Sequence, residues 1–400
     1  MSDVDFDPFS ATFFDDPYDA YRQLRDHAPV FRSERYGFYA LSRYEDVVAA
    51  HKDWATFSSA HGVDLTTLTT DPELIASLRS LIMMDPPSHD RFRALVSRVF
   101  TPKAMQGMEP LVRKIVGRHL DAIGDRSEFD AVGELSAPFP VEIISELLGV
   151  PNEDRQQIRH WLDAMLHREP GEMRPTREGI EASINLGSYW LGLTAAKRDV
   201  PSDDLTTRLI EVTVDRDDGT TTALDNGEIA GFAGLLGGAG AETVTKLIGN
   251  AFVLFHRNPE QWEKVVADPD RIPNAVEEIL RYWPPSQYQG RFSVREAELY
   301  GQVIPEGWPV LLLTGSATRD ERFYERPDDF DIDRAPSVAL GFGLGVHSCL
   351  GAALARVESR VVLEAMVERW PSFEVDEAGL ERVQMSNVAG FSRVPVKVRS

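Results

Sequence analysis

Apolar positions recur three and four residues apart through much of the chain, the spacing that gives a helix one buried face. The recurrence predicts helices over 17–27, 89–100, 106–121, 137–148, 154–166, 174–196 and 202–211, parted by Pro-, Gly- and Asp-rich breaks. A long helix is predicted over about 226–256, another over 273–283 and a last one over about 350–370. Pro86 and Pro87 disfavour helix in what precedes them, and Ser88 reads as the cap of the 89–100 helix. Residues 30–41 are rich in β-formers and interrupted by Ser33-Glu34-Arg35, the pattern of a hairpin. Short strands are predicted between 289 and 310 and in the tail, whereas 60–80 and 322–346 follow neither period. No repeat and no linker of domain-separating composition interrupts the chain. The expectation is a mainly α protein with smaller β-sheets, folded as one domain over 1–400.

Composition narrows the class. Of 400 residues, 42% are hydrophobic and 26% charged, a globular balance, and 29 Gly with 25 Pro exclude a collagenous or low-complexity chain. The 42 basic and 64 acidic residues leave a net charge of -22, which repels phosphate backbones and anionic lipid and argues against nucleic acid as a partner. No apolar span reaches the roughly 18 residues a membrane helix needs, so no membrane partner is expected. Residues 1–10 carry no basic residue and no apolar run, which argues against a signal peptide and for a cytoplasmic location. A lone cysteine, Cys349, excludes an internal disulfide and any all-cysteine zinc or iron–sulfur site.

That cysteine ends the run Gly341-Phe342-Gly343-Leu344-Gly345-Val346-His347-Ser348 and directly precedes Leu350, Leu354, Val357, Val361 and Ala365 at helical spacing. Free backbone N–H groups and the positive end of a helix dipole favour thiolate at such a place. The alternate glycines call for close approach or left-handed dihedrals. Three uses are open: an inert thiol, a nucleophile with His347 as its base, or an axial haem ligand. A stiff loop with N–H donors and small residues suits a flat macrocycle, so the glycines fit the haem ligand better than the nucleophile, with the inert thiol still open.

Together, Phe342-Gly343, Gly345, His347, Cys349, Gly351 and Leu354-Ala355-Arg356 resemble the haem-binding signature of the cytochrome P450 family, over the haem-thiolate loop 341–351 and the helix after it. The resemblance implies that Cys349 is the proximal iron ligand of haem b. It also implies that His347 sits near a haem propionate and that Phe342 shields the sulfur side. Three distant segments agree. Glu278 and Arg281, three apart on one helix face, resemble the family's Glu-x-x-Arg element, with Arg334 in the place of the arginine that joins them; their implied role is structural. Ala239-Gly240-Ala241-Glu242-Thr243 resembles the family's distal helix, where a kink opens beside the oxygen-binding face. Thr243 would then hydrogen-bond dioxygen or an ordered water, and Glu242 would lie on the proton-delivery route. Gly231, Gly234, Gly237, Gly238 and Gly240 each cost that helix roughly 1 kcal/mol relative to Ala, which points to something flat or bulky packed against it. In the third segment, His89 and Arg93 share a helix face and resemble the family's propionate-binding pair, and Arg291 fits a further propionate contact.

The implied function is a haem-thiolate monooxygenase of the soluble bacterial type. It would insert one oxygen atom from dioxygen into a largely hydrophobic organic substrate, most simply by C–H hydroxylation. The intact Glu242-Thr243 pair favours the dioxygen route over direct use of peroxide. With no flavin or nicotinamide fingerprint present, electrons are expected from NAD(P)H through a ferredoxin and its reductase, docking near Arg98, Lys103 and Arg356. The family's pocket maps onto 60–84, 160–185, the distal helix and the tail, with Leu236, Ala239, Pro285, Ser286, Gln287 and Val388 as substrate-contact candidates. Ser286, Gln287 and Gln289 would orient a polar end, while His167-Arg168-Glu169 reads as a solvated loop. The same signature also admits a haem-thiolate isomerase, dehydratase or peroxide-driven oxidant, or a non-catalytic haem sensor or ligand-binding protein.

Overall fold

Asp225 starts the longest helix. Its carboxylate accepts from the Glu228 amide at 2.9 Å while Glu228 accepts from the Asp225 amide at 2.9 Å, a capping box that satisfies two otherwise free donors. The helix then runs without a break over Asn226–Arg257. The structure, a computed structural model, describes residues 4–77, 80–335 and 337–398. Met1, Ser2 and Asp3 of the N-terminal segment, and Leu78 and Arg79 of the stretch assigned to the pocket wall, lie outside the described residues.

Neighbouring helices pack onto this central helix and explain its glycines. A Cβ on Gly237 would sit 2.8 Å from the Trp190 ring, and one on Gly234 would sit 3.2 Å from it. The flat object is therefore an indole, carried by the Arg177–Asp199 helix. Gly238 and Gly240 face Leu162 and Ile144 in the same way, on the Arg155–Leu166 and Pro138–Leu148 helices. Most predicted helices are present with shifted ends, among them Glu109–Ile123, Leu205–Glu211, Ile272–Tyr282 and Ala352–Arg369. Helices Tyr44–Lys52 and Pro259–Ala267 were not foreseen, and the 60–80 stretch holds two short ones, Leu65–Leu68 and Pro72–Ser77. Ser88 is not a cap: the Ser88–Ser97 helix starts from Pro87, and the Ser88 hydroxyl donates to Asp217 at 2.9 Å instead.

Short strands complete the fold. Val30–Ser33 and Phe38–Leu41 form the expected hairpin, and Pro309–Leu312 adds in parallel to Phe38–Leu41. Gln289–Ser293 and Phe57–Ser58 then extend this five-stranded sheet. The result is a helix-rich fold with small sheets, as the hydrophobic pattern implies.

The turn-rich segment before Cys349 is held by buried charge. Arg281 donates to both carboxylate oxygens of Glu278 at 2.7 and 2.8 Å, and Arg334 reaches the same carboxylate at 3.3 Å. The remaining guanidinium donors meet backbone carbonyls of Thr318, Pro327 and Asp329 from Arg281, and of Glu325, Arg326 and Asp329 from Arg334. Gly341 lies against the same helix so closely that a Cβ would come within 2.7 Å of Leu280 Cγ. Glu278 and Arg281 are almost fully buried, so removing one partner strands a charge away from water. Arg281→Ala should cost about 3–5 kcal/mol, read as a lowered denaturant midpoint in equilibrium unfolding. A loss within error of zero would show that the cluster does not hold the segment.

Candidate active site

Two glycines shape the loop before Cys349. Gly343 and Gly345 adopt φ of +67° and +70°, and a Cβ on Gly345 would strike the His51 carbonyl oxygen at 2.5 Å. The turn that results lets the Cys349 amide donate to the Phe342 carbonyl at 2.7 Å. It also directs the Gly351 and Ala352 amides, at the start of the Ala352–Arg369 helix, toward the sulfur. Burial pushes the Cys349 thiol up; these two amides, with Arg93 and Arg356, pull it back only in part. The helix-end amides favour thiolate and desolvation opposes it, so a bound cation would tip the balance toward thiolate. Arg356 stacks 4.6 Å over the half-buried Phe342 ring and pairs with Glu277 at 2.5 and 3.1 Å. Of the three docking candidates it is thus engaged within the chain, while Lys103 is exposed.

Beside the loop lies a cluster of donors short of acceptors. His89 is buried, with Nδ1 2.9 Å from Asp90 and Nε2 without a hydrogen-bond partner among the described residues. The His347 ring stands 4.4 Å from the His89 ring, and its Nε2 is likewise unpartnered. Arg291, on the Gln289–Ser293 strand, is 4% exposed and among the described residues donates only to the Gly290 carbonyl, at 2.7 Å. Arg93 donates to the Ser348 carbonyl at 2.6 Å, tying the Ser88–Ser97 helix to the residue before the cysteine. His51, at the end of the Tyr44–Lys52 helix, is buried, and neither ring nitrogen has a partner within hydrogen-bond geometry among the described residues. Burial, then the Arg291 charge, hold the His347 and His51 imidazoles down at about 3 each, and burial lowers Arg291 itself to about 10. His51 escaped the sequence reading because nothing in its own segment marks it; only its packing against Gly345 and its proximity to Arg291 reveal it.

On the central helix, Ala239 is the one exposed residue between Glu228 and Phe255, and Thr243 follows one turn later. The Thr243 hydroxyl donates to the Ala239 carbonyl at 2.9 Å, and the helix runs on through this point. Glu242 is buried and pairs with Lys246 at 3.0 Å.

Comparison with known proteins decides what this arrangement is. The cytochrome P450 family model matches residues 193–399. Cytochrome P450 123 of Mycobacterium tuberculosis is 42% identical over 395 residues, covering 98% of this chain and 97% of that protein. The chain belongs to the cytochrome P450 family. Cyclomarin C epoxidase CymV of Salinispora arenicola is 36% identical over 374 residues, 92% of each chain. The structure of CYP109E1 from Bacillus megaterium in complex with testosterone superposes with a TM-score of 0.86 at 32% identity, covering 96% of this chain and 98% of that one. Members are monooxygenases, and this chain is an enzyme of that kind.

Membership in the P450 family implies a haem and dioxygen, and the residues fit the former. A haem offers two carboxylates and an iron needing an axial ligand. The unpartnered Nε2 atoms of His89 and His347 and the underused Arg291 suit those carboxylates. The amide-flanked sulfur of Cys349 suits the metal.

Among the proposed substrate contacts, the P450 chain brings Pro285, Ser286 and Val388 together. Ser286 bridges to Val388, and the Pro285 carbonyl accepts from the Ala389 amide at 2.8 Å. Leu236 is buried in the main core. Gln287 does not serve as expected: its amide donates to the Pro284 carbonyl at 2.7 Å and accepts from Tyr21 at 3.1 Å, so both ends are spent in the interior. The solvated-loop reading of 167–169 also fails at Arg168. It is 4% exposed and donates to the carbonyls of Met165, His167 and Met173.

The depressed imidazoles link stability to pH. His51 and His347 accept protons near the ordinary value of about 6.5 once unfolded, but only near 3 in the fold. Between those limits the unfolded chain binds more protons. The unloaded chain therefore loses roughly 1.4 kcal/mol per pH unit for each histidine as pH falls from about 6.5. Urea midpoints measured from pH 7 to 5 should fall, and His347→Gln should flatten the slope. An unchanged slope in that variant would remove His347 from the linkage.

Proposed function

We propose that this P450 inserts one oxygen atom from dioxygen into a largely hydrophobic organic substrate by C–H hydroxylation, drawing electrons from a ferredoxin and its NAD(P)H-dependent reductase. The observation that carries the reading is Cys349 at a helix N-terminus, its sulfur faced by the Gly351 and Ala352 amides. Cys349 would ligate the haem iron, with Phe342 over the sulfur side. His89, Arg93, Arg291 and His347 would hold the propionates through charge-assisted hydrogen bonds. Bound haem supplies the oxygen activation and the oxidation of carbon; the polypeptide supplies position and protons.

Thr243 has a hydroxyl that can trade its bond to the Ala239 carbonyl for one to dioxygen. Glu242, one residue earlier and buried, would lie on the proton route to that hydroxyl. Leu236, Ala239, Pro285 and Val388 give the pocket an apolar lining that excludes water and accepts hydrocarbon, and Ser286 offers a polar contact. Testosterone in CYP109E1 and erythromycin B in a P450 EryK mutant show that close structural neighbours take bulky, largely hydrocarbon molecules. Those ligands support the substrate class and leave the compound open. Among the described residues no helix is long and apolar enough to cross a membrane, in keeping with a partner system that meets the enzyme in solution.

Turnover under isotope-labelled dioxygen with an added ferredoxin system should place label in the product. Product without label would point to rearrangement or dehydration. Thr243→Ala should continue to consume reducing equivalents while product falls about tenfold or more, an estimate at the lower edge of general acid–base effects. Unchanged coupling of electrons to product would take Thr243 out of the mechanism.

A further inference from the structure

Ala239, Glu242, Thr243 and Lys246 follow at three- and four-residue steps and so share one face of the central helix. Against this face stands Asp163, near the end of the Arg155–Leu166 helix, which lines one cavity together with Lys246 and has the Glu242 carboxyl close enough to raise its own. Lys246 Nζ lies 3.0 Å from Glu242 Oε2, at an angle that leaves this oxygen without a hydrogen bond. Two carboxyl groups this close and half-shielded from water cannot both ionise cheaply, and the simplest remedy is one proton between them. Burial first, then the Glu242 carboxyl, raise the Asp163 carboxyl; Lys246 and Arg159 offset this only in part.

The other side of Asp163 opens into a cavity of about 490 Å³, roomy enough for a chain of waters. Charged and titratable groups reach it from four elements, Arg159, His160 and His167 from the Asp163 helix and its end, Glu178 from the next helix, Lys246 from the central helix and Arg382 from the tail, while Val132 and Gly133 close it without charge. Lys246, which lines this cavity beside Asp163, lies 3.0 Å from the Glu242 carboxylate.

We propose that Asp163 is the positioning residue that stores the proton for Glu242 and recharges it from the cavity. The O–H bond at Asp163 breaks as one forms on the Glu242 carboxylate, and the Asp163 carboxylate then takes a proton from hydronium in the cavity water. Lys246 keeps the pair at one negative charge or less and holds Glu242 in line with Asp163. The role rests on the monooxygenase reading, since it is that reaction which consumes protons at Thr243.

Infrared difference spectra of the holoenzyme titrated around neutral pH should show the C=O stretch of a protonated carboxylic acid disappearing as pH rises. Asp163→Asn should abolish that band, cut product formation about tenfold or more, and remove the decline of rate with rising pH. Asp163→Glu should restore the band and the pH profile. A band that persists in Asp163→Asn, or an unchanged pH profile there, would overturn the proposal. Should that variant not fold, wild-type protein with carbon-13 in its aspartate carboxyls reads the same proton: one aspartate ionising near neutrality supports the role, and all ionising well into the acid range overturns it. Failure of labelled oxygen to enter product in the wild type would defeat the monooxygenase reading alone, because the infrared and carbon-13 titrations report the proton without turnover.

Discussion

A sulfur atom faced by backbone amides at the start of a helix is the constraint around which this chain is arranged. Amides of Gly351 and Ala352 are free to face Cys349 only because a helix begins there, and the loop reaches that point only through two left-handed glycines. Such a loop has little side-chain packing of its own. Its fixity is supplied from elsewhere: Glu278 with Arg281 and Arg334 clamps the segment ahead of it, Leu280 presses on Gly341, and Arg93 holds the Ser348 carbonyl. Glu278, Arg281 and Leu280 are buried and, like Arg93, remote in sequence from the sulfur, so its geometry depends on the whole fold having formed.

The electrostatics around that sulfur run against the charge of the molecule. The chain carries a net charge of -22, yet Arg93, Arg291 and three histidines gather beside the cysteine loop with few carboxylates to meet them. Such a cluster is costly in an empty fold, because buried donors without acceptors lose their water and gain nothing. A dianionic group changes the balance, and its binding then contributes directly to the stability of the folded form. On the opposite side the sign reverses: Glu242 and Asp163 share a region with Lys246, where protons rather than anions are the exchangeable charge.

Features set by local chemistry were legible in the sequence. Glycines at 341, 343 and 345 signalled a loop of unusual shape, and the structure shows a close approach at the first and left-handed φ at the other two. The three-residue spacing of Glu278 and Arg281 announced a shared helix face, and helical periods located the long helices. What stayed hidden depends on contacts between distant segments. Gln287 looked like a polar pocket residue because its partner Tyr21 lies 266 positions away. The central glycines asked for a flat neighbour, but nothing marked Trp190 as that neighbour. Asp163 and His51 sit in helices with no distinguishing motif, and only the fold brings them to Glu242 and Arg291. Even the charge state of Cys349 depends on burial, which a helix-end argument from sequence omits.

The measurement that bears most directly on the sulfur is the carbon monoxide difference spectrum of the reduced, haem-loaded protein, recorded beside Cys349→Ala. Thiolate ligation by Cys349 requires the red-shifted Soret band characteristic of a haem-thiolate in the wild type and its loss in the variant. A band of the neutral-ligand type in well-folded wild-type protein, or an unaltered red-shifted band after the substitution, would contradict the account.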